Sequence, residues 1–285
     1  MTRQRLAIAG LVVVAFLAGV AITFPTEAVV RAMVARVPLP DQMQVSFAGA
    51  HLRPDGLRLE DVHLTRPDGS NALDADWLRL RPSLLGLWRD RTGRPWSVAI
   101  ATCQGRIEIE VGAEGATTPI GVVLTDVELA TCIPYVAPRV DVYGRVNGTV
   151  HARVGGRDPA SGDAAFEIRG AAWHPGGGLE DLVIRADAAT LRGRLADRRF
   201  ELETIEAWSE DFRATGRGTI RFVTPTNDSV LDLRLTVTPG RTMPPTLRRW
   251  FDGVPGAAPD AQGTRTLRLQ GTIGNPRLVA AGKPE

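Results

Sequence analysis

Lysine is almost missing from this chain: Lys283 is the only one, and arginine supplies the rest of the positive charge. With 34 basic and 32 acidic residues the net charge is +2, so there is no basic excess of the kind that suggests nucleic acid. Histidine is scarce too. His51, His63, His151 and His174 stand apart, with no H-E-x-x-H and no cysteine at ligand spacing, so the sequence offers no metal ligand set. No G-x-S-x-G elbow surrounds a serine. Gly176-Gly-Gly178 lacks the Lys-Ser/Thr that would hold a phosphate and reads as a flexible turn. Asp74-Ala-Asp76 is an acidic pair beside a strand start, more simply a solvated edge than an acid–base or metal pair. The chain reads as a non-enzyme, with no catalytic residue, no metal site and no cofactor motif.

Long apolar runs are confined to one place. Leu6–Phe24 contains no charged residue and follows the basic leader Met1–Arg5. As a helix its 19 residues rise about 28 Å, close to the ~30 Å hydrocarbon core of a bilayer. The stretch reads as a membrane anchor. The alternative is a cleaved signal peptide with Leu6–Ala18 as its apolar core and Gly19-Val-Ala21 as its cleavage site. The organisation expected is a cytoplasmic leader (1–5), the anchor (6–24), a juxtamembrane helix and linker (25–40), and one β-rich domain outside the cytoplasm (41–285). The linker helix rests on Ala28, Val29, Ala32, Met33 and Val37 at helical spacing, ended by Pro38 and Pro40.

Only two cysteines occur. Outside the cytoplasm Cys103 and Cys132 could form a disulfide; two buried thiols are the alternative.

Beyond residue 44 the period changes to two. Ile107, Ile109 and Val111 share one face; Val142, Val146, Val150 and Val154 share another; Leu231, Leu233, Leu235 and Val237 alternate with Asp232, Arg234 and Thr236. Such alternation marks strands with one buried and one wet face, as in antiparallel sheets. In Gly56–Leu64 the phase slips between Leu59 and Val62, which calls for a bulge or a tight bend between the acidic pair Glu60-Asp61 and Val62. Ser83–Trp88 and Met243–Phe251 read as short helices, the second started by Pro244 or Pro245. Arg248, Arg249, Trp250 and Phe251 on that helix are a candidate contact patch; the plainer alternative is that both rings pack on the sheet.

The sequence repeats weakly. Gly56-Leu-Arg-Leu-Glu-Asp-Val-His-Leu64 returns as Gly121-Val-Val-Leu-Thr-Asp-Val-Glu-Leu129, and Leu179–Ile184 is a poorer copy. A second unit recurs at Gly144–Val150, Gly216–Ile220 and Gln270–Ile273. Stacked strand–turn–strand units are the physical reading. The early G-L-x-L-x-D-V-x-L, the N-terminal anchor and the closing Leu269-Gln-Gly-Thr-Ile-Gly-Asn-Pro-Arg-Leu278 resemble type II secretion system protein N, and the strand units resemble AsmA-like envelope proteins.

The resemblance implies a mainly β protein: an N-terminal transmembrane helix, then an elongated, twisted antiparallel sheet of repeated units, an AsmA-like groove or half-barrel, with a few short helices. It implies a single-pass bacterial inner-membrane protein with its main domain in the periplasm. Two functions are expected from it. One is an accessory subunit of the secretion apparatus, whose partners are other subunits. The other is an envelope protein that binds or shuttles phospholipid along its sheet.

Overall fold

A computed structural model describes residues 30, 43–53, 56–82, 96–112, 117–136, 141–155, 160–174, 183–223, 228–254 and 258–280. They form one antiparallel sheet in which, beyond a shared first edge, each strand pairs with the next along the chain. β1 (Gln44–Ser46) and β2 (Gly49–Arg53) lie in line on one edge, both against β3 (Gly56–Thr65). The meander continues through β4 (Asn71–Pro82), β5 (Trp96–Thr102), β6 (Gly105–Val111) and β7 (Thr118–Glu128). After helix α1 (Leu129–Val136) come β8 (Asp141–Val154), β9 (Ser161–His174), β10 (Ile184–Ala196) and β11 (Arg199–Trp208). β12 (Phe212–Arg221) and β13 (Val230–Pro239) precede helix α2 (Pro245–Asp252), and β14 (Arg265–Thr272) and β15 (Asn275–Ala280) complete the far edge. Period-two patterning accounts for this class: each strand needs a neighbour of like phase, and a short turn supplies an antiparallel one.

The phase slip at Glu60-Asp61 has a backbone cause. Asp61 takes φ 50°, a left-handed conformation that Asp tolerates better than most side chains. Opposite it the edge strand breaks between β1 and β2, with the Ala48 amide donating to Glu60 O at 2.9 Å. Val62 and Ala75 thereby join Leu59 in one buried cluster. The repeat behaves alike. Asp126, 65 residues on, also takes φ 50°, and a register shift in β7 turns Val127 inward, 3 % exposed. The matching position of the third copy lies outside the described residues.

Helix α1 was not foreseen from the sequence, and Pro134 sits inside it. It exists because the β5–β6 hairpin is short. β4 pairs with β5 only as far as Ala75, leaving Asn71–Asp74 beyond the hairpin tip, and β8 overhangs on the other side. α1 sits beside β4, β7 and β8 at that gap. Cys132 of α1 is disulfide-bonded to Cys103 in the β5–β6 turn, with Cα atoms 5.3 Å apart.

Two apolar clusters hold the ends of the sheet. One gathers Phe47, Ala50, Leu59, Val62, Ala75 and Ile100 with Val30, which is helical. Val30 is the one described residue of the expected juxtamembrane helix. The other cluster is built under α2, where Leu247 and Phe251 pack on Ala186, Phe212, Val237 and Leu267. Pro244 and Pro245 start α2 and Gly253 caps it. The anchor Leu6–Phe24 and the helix expected at Ser83–Trp88 lie outside the described residues. Among those residues no helix is long and apolar enough to cross a membrane.

Candidate functional site: an apolar sheet face

Cross-strand register decides which residues share a face, because directly paired residues in an antiparallel sheet point the same way. Leu59 pairs with Leu78, Leu78 with Ile100, Ile100 with Ile107 and Ile107 with Leu124. The same line continues through Gly148, Phe166, Leu191, Ile205 and Gly216 to Leu235 and Leu267. It crosses twelve consecutive strands, β3 to β14, without a polar side chain.

Two further rows run alongside. The next begins at Leu57 and Leu80 and passes Val98, Ile109, Val122 and Val150. It ends through Ala164, Gly193, Leu202, Gly218, Leu233 and Leu269 at Leu278 on the β15 edge. The third runs from Val111 and Ile120 to Leu195, Phe200, Ile220 and Leu231. Twelve strands at ~4.8 Å carry the first row across about 50 Å.

The rows mix buried side chains, among them Leu59, Ile100, Leu202, Leu233 and Leu267, with partly exposed ones. Leu124, Phe166, Leu191, Ile205, Leu235 and Leu269 are all half-buried. Glycines in the rows let large neighbours lie flat. A Cβ at Gly148 would stand 2.5 Å from Phe166 Cδ1, and one at Gly216 would stand 2.6 Å from Leu235 Cδ2. Two recurring units of the sequence thus place glycine on the apolar face.

The opposite face is polar. Its rows read Arg194–Glu201–Thr219–Asp232–Gln270 and Glu167–Thr190–Glu206–Thr215–Thr236. Arg268 grips Asp232 through two bonds of 2.7 Å, and the Arg268 guanidinium holds the Asp232 carboxyl below the usual range. Arg194 pairs with Glu203 and Arg106 with Glu108 on the same side. Such exposed pairs keep the face soluble and add little stability.

The proposed contact patch divides. Phe251 is buried against the sheet, and Trp250 stands edge-on to Phe251 and to Trp173 of β9. Arg248 and Arg249 are exposed. The rings therefore belong to the packing of α2 on the apolar face, while both arginines reach solvent.

Asp74 is not one of an acidic pair. Its carboxylate accepts from His63 Nδ1 at 2.6 Å, Tyr135 OH at 2.9 Å and Asn71 Nδ2 at 3.0 Å. Arg66 donates to Tyr135 O at 2.6 Å. The His63 bond, opposed by burial and assisted by Tyr135, holds the Asp74 carboxyl below its ordinary range. Burial, then Asp74, pushes the Tyr135 phenol up. This cluster ties α1 to β3 and β4. Among the described residues no group of three or more His, Cys, Asp and Glu could hold a metal ion. No family model, no curated protein and no solved structure matches this chain.

Proposed function

We propose that this chain is a membrane-tethered envelope protein that shields phospholipid acyl chains along the apolar face of its sheet. The observation that carries the reading is the unbroken apolar register from β3 to β14 on a face whose central side chains stay half-buried. A sheet with nothing to shelter gains by closing or by stacking a second layer over such a surface. An acyl chain is the ligand that fits a face without polar groups, since a polar ligand would lose its hydrogen bonds there. The Leu6–Phe24 anchor would hold the β1 end near the bilayer from which lipid comes.

A photoreactive amino acid placed at Leu191, and in a separate chain at its neighbour Thr190, tests the reading in cells. Adjacent strand residues face opposite ways. Phospholipid adducts at Leu191 and none at Thr190 are expected. Adducts at neither position, or equally at both, overturn it.

A second reading, a subunit of the type II secretion apparatus, is favoured by the polar opposite face and by the β15 edge, which pairs with no further strand among the described residues. A free edge can pair with a strand of another protein. A photoreactive group at Arg277, on that edge, would then capture other subunits of the apparatus, and capture of none would count against this role.

A further inference from the structure

Beneath α2 lies a cavity of about 280 Å³ lined by Val237, Met243, Phe251, Pro259, Arg248 and Arg265, among others. Its floor is apolar and continuous with the apolar face. Val237 ends a row that runs through Ile168, Ala189, Ala207 and Ala214. Its mouth is cationic. Arg265 donates to Phe251 O at 3.3 Å and to Asp252 Oδ1 at 2.5 Å, which fixes that guanidinium beside the cavity. Arg248 lines the same opening, is exposed, and has no side-chain hydrogen bond or ion pair among the described residues. Two arginines and Asp252 leave the opening with one positive charge over an apolar floor.

An apolar cavity with a few placed polar groups is the usual form of a small-molecule site. We propose that this cavity seats the anionic head of a phospholipid, with Arg248 taking the phosphate oxygens and the acyl chains leading away over Val237 onto the sheet. This rests on the lipid reading above and names the charge class and the seat of the ligand. An arginine fork suits phosphate because its N–H groups match the oxygen spacing. Every phospholipid head carries such a phosphate, and a zwitterionic head adds a cation that the positive opening repels, so the anionic class is favoured.

The full-length chain in vesicles of phosphatidylcholine and phosphatidylglycerol tests the proposal. A trace of phosphatidylglycerol carrying a photoreactive group near its glycerol end labels what it touches, and mass spectrometry maps the sites. Labelling around Met243 and Phe251 is expected, and Arg248→Gln should lower it about tenfold, the loss of one charge-assisted bond. Arg249→Gln, on the outer side of α2, should leave it unchanged. Pro259→Trp, which fills the mouth from an exposed loop position, should abolish it with Arg248 intact.

Equal loss in the Arg248 and Arg249 variants overturns the proposal. So does competition by inorganic phosphate alone, or labelling by a photoreactive fatty acid but not by the phospholipid. Labels along the sheet rows with none in the cavity reject this seat and keep the lipid-face reading. Labels in the cavity from this probe, with none along the rows from a phosphatidylglycerol that is photoreactive at the end of its acyl chain, reject the lipid-face reading and keep the seat.

Discussion

Asp74 joins three donors from three parts of the chain, so its charge state bears on how α1 is held. Its folded pKa is depressed. The stability it contributes is therefore present above the unfolded value, about 3.9, and is lost as pH falls through the folded value. Tyr135 is raised, so its contribution is present below about 10 and is lost as pH rises through its folded value. Asp74→Asn should cost about 1 kcal/mol near neutral pH, a modest figure because the cluster is partly solvated. Denaturant midpoints at pH 7 and pH 3 check this: the gap to the parent chain should narrow at pH 3, and a gap unchanged with pH would contradict the assignment. Glycine 148 is a second sensitive position. A Cβ there would meet Ala165 O at 2.7 Å as well as the Phe166 ring. Gly148→Ala should therefore cost about 1–3 kcal/mol through overpacking and strand displacement, read as a lowered melting temperature.

At the scale of the element, α1 and its disulfide replace strand pairing that the short β5–β6 hairpin cannot supply. The Cys103–Cys132 bond closes a 29-residue loop, for which the chain-entropy model gives about 3–4 kcal/mol. Cys103→Ser with Cys132→Ser should lower stability by that order in a denaturant titration, and reduction of the parent chain should reproduce the loss. The elements also differ in how openly the sequence announces them. Strands with strict alternation, such as β6, β8 and β13, can be read directly, and so can α2, because Pro244-Pro245 and Gly253 punctuate it. The kink at Asp61 shows as a phase slip, and the repeat carries it to Asp126. α1 is hidden because its apolar positions Leu129, Cys132, Ile133 and Val136 span only two turns and a proline sits inside. Tertiary bonds from Asp74, Arg66 and Cys103 hold it, and none of them is local. The β5–β6 turn is hidden for another reason. Cys103 and Gln104 both take positive φ without glycine or asparagine to signal it.

Across the whole molecule the feature that matters is register, and no single strand records it. Each strand shows one apolar face, which a packed core and an open face share. Only the pairing of Leu124 with Gly148 and of Leu191 with Ile205 shows that the faces align from edge to edge. The shifts at Leu124/Val127 and Arg192/Gly193 keep that alignment where strict alternation would lose it. A continuous path and a mere core respond differently to one charge at mid-sheet. Leu191→Glu sets a carboxylate in the central row, where an acyl chain would have to desolvate it at several kcal/mol. With the photoreactive phospholipid supplied from vesicles, labelling on β3 to β9 should persist while labelling from β11 to β15 falls severalfold. Thr190→Glu, one residue away on the wet face, should change neither. If the rows are only a core, Leu191→Glu should lower the melting temperature and reduce labelling evenly along the sheet. A step in the labelling profile at β10, with the two flanks otherwise unchanged, is the signature of passage along the face, because only a route makes one position upstream of another.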